Sequence, residues 1–378
     1  MLTRVYYNLK KLDGRRFSLR RLPLSKNIRE LEKFLESEPH FRTETFAKRM
    51  LFSREIQTNN LVEGYGDDIE TINRVIADAE AIQERDKRAR ILNLYHAYKF
   101  ILTGGEIDKE SLRTLYEITS KDALDDYSMA NMGRYYRDAN VYIMKSGLDL
   151  DFREGLPCEL IEEFMDSYFS FLNNHTDGTE TEEYLKSQIL HLYFVYIHPY
   201  FDVNGRTSRT LSMWYLLNKK AYPYVIFNRG ISFNRSAYYD ILTKSIDRGD
   251  LTYFINLMLE TVKIELEKEY VMEALASDAK ANLNETDYQT LLYLLSIKGP
   301  KTVQNFSFLY NRITQSRAKS PAEIYKDMIV PLLDKGVLDS PKSINDRTPI
   351  STKESIDSKI LTLRPLKLDK NKISHLRF

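Results

Sequence analysis

His198-Pro199-Tyr200-Phe201-Asp202-Val203-Asn204-Gly205-Arg206-Thr207-Ser208-Arg209 is a loop set between two helical runs, and its reading decides fold and chemistry together. The run before it, Glu182–Ile197, ends apolar almost all round, as a buried central helix should. The run after it, Thr207–Leu217, is strongly helical and offers Trp214, Leu216 and Leu217 for packing. A loop entering a helix N-terminus presents free backbone N–H groups and the positive end of the helix dipole, a ready anion site. Gly205 lets the backbone approach a ligand closely. Arg206 and Arg209, three apart, share one face of the new helix and suit two phosphate groups. Asp202 offers a hard oxygen ligand for Mg²⁺, the ion that accompanies nucleoside triphosphates. His198 is the side chain suited to accept a proton near neutral pH. Taken singly, His-Pro is usually a helix end and Asn-Gly-Arg a surface turn. In this order and spacing they point to phosphoryl or nucleotidyl transfer.

Outward from the loop the pattern is mainly helical. From Thr45 to about Ile118, and again from near Cys158 to about Leu275, apolar residues recur at helical spacing. Between these runs, Asn140-Val141-Tyr142-Ile143-Met144 and Leu148-Asp149-Leu150-Asp151 flank Gly147 and predict one β-hairpin. The first 44 residues are set apart as an N-terminal segment, basic at first (Lys10, Lys11, Arg15, Arg16, Arg20, Arg21) and helical from about Ile28. Those Lys/Arg pairs read as a solvated face. Residues 45–275 then form the helical domain. Polar residues just beyond Leu275 suit a linker, and residues 276–378 form a further domain. There Glu285–Ile297 and Pro321–Lys335 look helical, with Pro331 expected to kink the second and Gly336 placed to cap it. From Lys298 onward sixteen Lys/Arg face eight Asp/Glu. Short helices followed by a turn-rich extended segment suit a small, winged-helix-like α+β domain.

Composition sets limits. The 378 residues suffice for two or three cores, and 43% hydrophobic with 29% charged residues is ordinary for a globular protein. A net charge of +1 argues against whole-molecule attraction to nucleic acid or membrane. The single cysteine, Cys158, excludes an internal disulfide and a cysteine-based zinc site. The N-terminus lacks a signal-peptide core, and the longest apolar run, Ile189 to Ile197, is too short to span a bilayer. A cytoplasmic, unanchored protein is expected. His191 and His198, seven apart, are spaced too widely for a zinc pair, so His191 reads as a packed histidine. The aromatic run Tyr193–Phe201 reads as helical core rather than a base-stacking surface.

The central loop resembles the signature of Fic-domain proteins, His-Pro-Phe-x-Asp/Glu-Gly-Asn-Gly-Arg-x-x-Arg, with Tyr200 for Phe and Val203 for the first Gly. Gly133-Arg134-Tyr135-Tyr136-Arg137 and the hairpin after it are similar to the segment leading into that family's target-binding flap. Tyr238-Tyr239 is similar to the stretch bordering the adenine. The resemblance covers roughly residues 45–270 and implies a Fic-type helical core with a β-hairpin flap. It implies that His198 deprotonates a Tyr, Thr or Ser hydroxyl of a target protein, which attacks the α-phosphate of ATP. Asp202 would hold Mg²⁺, the amides around Asn204 and Gly205 would form the anion hole, Arg206 and Arg209 would hold the outer phosphates, and Tyr239 would border the base. If position 203 needs positive φ, a β-branched valine is strained there.

Upstream, Thr58-Asn59-Asn60-Leu61-Val62-Glu63-Gly64 is similar to the family's inhibitory motif, Ser/Thr-x-x-x-Glu-Gly/Asn, with Asn59 at the Ser/Thr position. The resemblance implies that Glu63 pairs with Arg209 and blocks the γ-phosphate. The alternative is an ordinary helix end capped by Gly64. Two competing readings of function remain: a DNA-binding regulator working through the basic C-terminal domain with a weak Fic core, and a Fic enzyme that transfers a different phosphate-containing group. A homodimer also stays open.

Overall fold

The structure, a computed structural model, describes residues 4–144, 152–174, 178–277, 283–296, 302–314, 318–339 and 362–363. The chain divides into two compact units, residues 1–263 and 264–378.

The first unit opens with an antiparallel hairpin, β1 (Arg4–Lys10) and β2 (Arg16–Arg20), where the sequence reading expected no strand. Tyr6 pairs with Ser18 and Lys10 with Arg16, with an irregularity between Tyr6 and Lys10. Leu9, Phe17 and Leu19 turn inward and are buried. The free edge of β2 meets the main chain at 249–251: Ser18 N–H donates to Gly249 O (2.9 Å) and Leu251 N–H to Ser18 O (2.9 Å). The basic pairs are therefore not all a solvated face. Lys11 is buried, with its Nζ on the Asp247 carbonyl at 2.8 Å. Polar atoms that close a strand edge also explain why the hairpin is stable without a larger sheet.

Helices follow: α1 (Ser25–Ser37), α2 (Glu44–Met50), α3 (Ser53–Glu63), α4 (Ile69–Ala77), α5 (Arg85–Leu102), α6 (Lys109–Ser120) and α7 (Asp126–Ala130). A second antiparallel hairpin pairs β3 (Tyr142–Met144) with β4 (Phe152–Glu154). Its second strand lies C-terminal to the expected Leu148–Asp151, which, with Gly147, falls outside the described residues. Then come α8 (Ile161–Asn173), α9 (Glu180–Ile197), α10 (Asn204–Asn218), α11 (Phe227–Phe233), α12 (Arg235–Arg248) and α13 (Thr252–Ser277), within which the boundary between units falls.

Helix α9 is the centre of the core. Thr179 caps it by accepting the Glu182 N–H, and three glutamates in its first turn complement the dipole. Nearly every residue from Thr181 to Ile197 is buried, so the absence of a polar stripe reflects neighbours on all sides. Helix α10 packs back along it from a tight loop, and α3, α5 and α6 cover α10 in turn.

In the second unit α14 (Glu285–Ser296) and α15 (Val303–Thr314) precede α16 (Pro321–Ile324), a π-helical turn at Tyr325–Ile329, and α17 (Val330–Asp334). The π turn is the physical answer to Pro331: a proline cannot donate to the preceding turn and its ring crowds the carbonyl four residues back, so the helix widens just ahead of it. Gly336 has φ +67° and donates to Leu333 O (2.9 Å), ending the helix as expected. Short strands β5 (Leu338–Asp339) and β6 (Thr362–Leu363) pair antiparallel. The segment between them lies outside the described residues. Among the described residues no helix is long and apolar enough to cross a membrane.

Candidate active site

The loop between α9 and α10 is built by two left-handed residues. His198 (φ 53°) ends α9, donating its N–H to Phe194 O at 2.9 Å, and Val203 (φ 64°) is the N-cap of α10. Positive φ at a valine is costly, on the order of 1–3 kcal/mol, and persists only where the surroundings impose it. Here the Val203 N–H is held by Asp202 Oδ1 at 2.6 Å, and its side chain is buried. Asn204 braces the loop from within: its amide nitrogen donates to Tyr200 O (2.8 Å) while its oxygen accepts the Tyr200 N–H (3.1 Å). Tyr200 stacks on Tyr116 with ring centroids 3.5 Å apart, and both hydroxyls are buried without a hydrogen-bond partner.

The first helical bond of α10 runs from Thr207 N–H to Val203 O (2.9 Å), so the amides ahead of it have no intrahelical acceptor. Arg206 in this turn and Arg209 in the next are both buried. Arg206 Nη1 is enclosed with no hydrogen-bond acceptor, a buried donor with its capacity unused. Asp202 is exposed, with its Oδ1 accepting the Val203 N–H.

Helix α3 brings Glu63 to this place from far back in the chain. Its carboxylate forms an ion pair and hydrogen bond with Arg209 Nη2. Gly205 makes the room: a Cβ there would lie 2.6 Å from Glu63 Oε1 and 3.1 Å from Arg209 Nη1. Burial alone would raise the Glu63 pKa, but Arg209, then Arg206 and Arg235, outweigh it and hold the carboxyl below its usual range. Arg209 is correspondingly raised despite its own burial, chiefly by Glu63.

Asn59, one turn earlier on α3, is part of the same grip. Its Oδ1 accepts from Arg209 Nε at 2.9 Å, its backbone carbonyl from Nη2 at 3.4 Å, and its Nδ2 donates to Tyr98 OH at 3.0 Å. Asparagine at this position thus reaches the arginine itself. The far end of α3 is held by the buried Glu55–Arg229 pair (2.5 Å). Its C-terminal carbonyls are held from α12, where Arg235 Nε donates to Val62 O (2.6 Å) and Tyr239 OH to the same oxygen (3.3 Å). Tyr239 therefore lies against the helix that carries Glu63.

His198 itself is half-buried, with Nδ1 enclosed and unpartnered. Burial, then the charges of Arg153 and Arg137, push its pKa down to about 3, so the ring is neutral. His191 is wholly buried between Ser208 Oγ (2.8 Å from Nδ1) and Tyr238 OH (2.7 Å from Nε2), a packed histidine as expected.

All eight residues singled out from the sequence lie on or against the α9–α10 loop, the first two turns of α10 and the end of α3. Sequence reasoning gave no role to Tyr98 or Arg235, and placed Arg137 only within the segment leading into the hairpin. Their partners are mostly main-chain carbonyls, which leave no mark in a sequence.

Residues 106–216 match the model of the Fic/DOC family. The chain is similar to protein adenylyltransferase Fic of Drosophila willistoni, 29% identical over 201 residues that make up 51% of this chain and 36% of that protein. It is likewise similar to protein adenylyltransferase Fic of Drosophila erecta, 28% identical over 243 residues, 62% of this chain and 44% of that one. The chain thus spans less than half the length of these curated relatives. Among solved structures it resembles a Fic family protein from Desulfovibrio desulfuricans G20, with a TM-score of 0.56 and 16% identity, covering 90% of this chain and 95% of the other. It also resembles Fic-1 from C. elegans, with a TM-score of 0.53 and 15% identity over 68% and 75% of the two chains. The helical core with its small hairpin is a Fic-type fold.

Proposed function

We propose that this chain, on its Fic-type core, is a protein adenylyltransferase that moves AMP from ATP to a Tyr, Thr or Ser hydroxyl of a target protein and is held in check by Glu63. The observation that carries the reading is the carboxylate of Glu63 lodged over Gly205 at the start of α10 and paired to buried Arg209. An anion from elsewhere in the chain sits in a place built for anions, where a phosphate of the substrate would compete for it.

In this reading Glu63 leaves Arg209, and Arg206 and Arg209 grip the outer phosphates while the free amides of α10 face the α-phosphate. His198 takes the proton of the target hydroxyl. The hydroxyl oxygen bonds to the α-phosphorus, the bond to the bridging oxygen breaks, and pyrophosphate departs with that oxygen. A base with a pKa near 3 is weak, but a bound triphosphate brings negative charge to offset the nearby cations, moving the imidazole back toward useful basicity. Asp202 fits Mg²⁺ as a single exposed carboxylate, the usual protein share when phosphates complete the shell. Bound there, Mg²⁺ would neutralise charge on the phosphates.

The test incubates the Glu63→Gly protein with cell lysate and ATP labelled at the α- or the γ-phosphate. Label from the α position on protein, absent with His198→Ala, supports the reading. Transfer of the γ label instead overturns AMP as the group moved.

A further inference from the structure

We propose that Arg137 is a positioning residue that locks His198 and both ends of the β3–β4 hairpin into one rigid unit, so that the base and the flap keep a fixed relation. The proposal rests on the transferase reading above and adds a residue to it. Arg137 is 1% exposed, and its guanidinium spends its donors on three segments. Nε donates to His198 O (2.9 Å), Nη1 to Ala139 O just before β3 (2.6 Å), and Nη2 to Leu156 O just after β4 (2.6 Å). The Arg137 N–H adds a bond to Pro199 O at 3.0 Å.

Three features give this arrangement a purpose beyond packing. The acceptors are all main-chain carbonyls, so the fork is used for its shape and not for an ion pair. One of them belongs to His198, whose left-handed backbone needs an imposed environment, and the next residue's carbonyl is gripped as well. The hairpin base is shaped around the guanidinium. A Cβ on Gly155 would lie 3.3 Å from Arg137 Nη2 and 2.8 Å from Val141 Cγ2, while Gly155 N–H to Val141 O (2.8 Å) and Cys158 N–H to Asn140 Oδ1 (2.9 Å) close that base. A substrate held on the hairpin would therefore be referenced directly to the base.

The test uses the full chain carrying Glu63→Gly, with Arg137→Lys and Arg137→Met added singly. Lysine keeps the charge but offers one ammonium to three diverging acceptors; methionine removes both. Lysine should lower kcat by about 100-fold, the scale of a 1 Å misplacement, with KM for ATP within about twofold of the parent. The His198 ring, followed by NMR of ¹³C-histidine protein without nucleotide, should keep its low pKa in the lysine variant and rise in the methionine variant. Parental kcat with lysine would show that charge alone matters and overturn the proposal. So would a fall in melting temperature and a rise in KM with kcat untouched. If Arg137→Met does not fold, Gly155→Ala crowds the same guanidinium and should give the same kcat-specific loss. If the Glu63→Gly parent moves no α label, the transferase reading fails. The spectra still decide for Arg137, because unchanged His198 and β3–β4 resonances in Arg137→Lys would refute the lock without reference to activity.

Discussion

Replacing Glu63 by Gly should raise AMP transfer by roughly one to two orders of magnitude at an ATP concentration below KM. The substitution removes a charge-assisted ion pair in which Arg209 is fully buried and the Glu63 side chain is 28% exposed. A hydrogen bond to a charged group is worth about 1.5–3 kcal/mol net, and about 1.4 kcal/mol is tenfold in a population. ATP must meet that cost to displace Glu63, and the variant is spared it. The arginine does not collapse when its partner goes, because Asn59 still holds Nε at 2.9 Å. Arg209→Ala in the same chain should therefore cancel the gain, by removing the phosphate grip that the release exposes. Glycine near a helix end also costs about 1 kcal/mol in helix propensity, so Glu63→Gln serves as the control that keeps the side-chain length. The assay compares incorporation of α-labelled ATP by the parent, Glu63→Gly, Glu63→Gln, Arg209→Ala and the double variant, with melting temperature in parallel. Equal rates for the parent and Glu63→Gly would show that α3 ends in an ordinary capped turn. A gain that survives Arg209→Ala would show that the pair is not what restrains the site.

His198→Ala should abolish transfer while ATP binding and melting temperature stay near the parent's, since the ring's enclosed Nδ1 has no partner to orphan; isothermal titration and the label assay check the two halves. Gly205→Ala places a methyl 2.6 Å from Glu63 Oε1, so it should loosen the Glu63–Arg209 pair yet also lower ATP affinity by about tenfold or more, read as a higher KM in the Glu63→Gly background. Burial, then the charge of Arg209, hold the pKa of His191 at about 3, below its unfolded value. The unfolded chain then binds a proton that the fold refuses, and stability falls as pH drops from about 6.5 toward 3. Urea melts at neutral and acid pH should show a shallower loss for His191→Gln than for the parent. Val203→Gly should change melting temperature by only a few degrees, because relief of about 1–2 kcal/mol of left-handed strain is offset by reduced burial and added chain entropy.

The central loop was legible because everything it needs is contiguous. The helix before it, the turn, the amides and two arginines follow one another within a dozen residues, and local sterics and dipoles depend only on neighbours. Even the strain at Val203 was readable as a condition, and φ 64° meets it. The end of α3 at Gly64 was readable for the same reason, a left-handed cap that glycine alone adopts at little cost. What sequence could not decide was which distant surfaces meet. The hairpin β1–β2 alternates in burial only along β1, while Phe17, Ser18 and Leu19 of β2 are buried in succession, because its edge is closed by residues around Gly249. The charges of Lys11 and Arg137 end on carbonyl oxygens that every residue possesses, so nothing in the sequence marks those partners. Asn59 looked like a departure from a motif until folding placed its amide against Arg209. Neighbouring residues alone set the local geometry of the loop ahead of α10 and of the capped end of α3. That the Glu63 carboxylate lies over Gly205 and meets Arg209 follows from the folded chain as a whole, because long-range contact is settled by packing and burial, which no single segment contains.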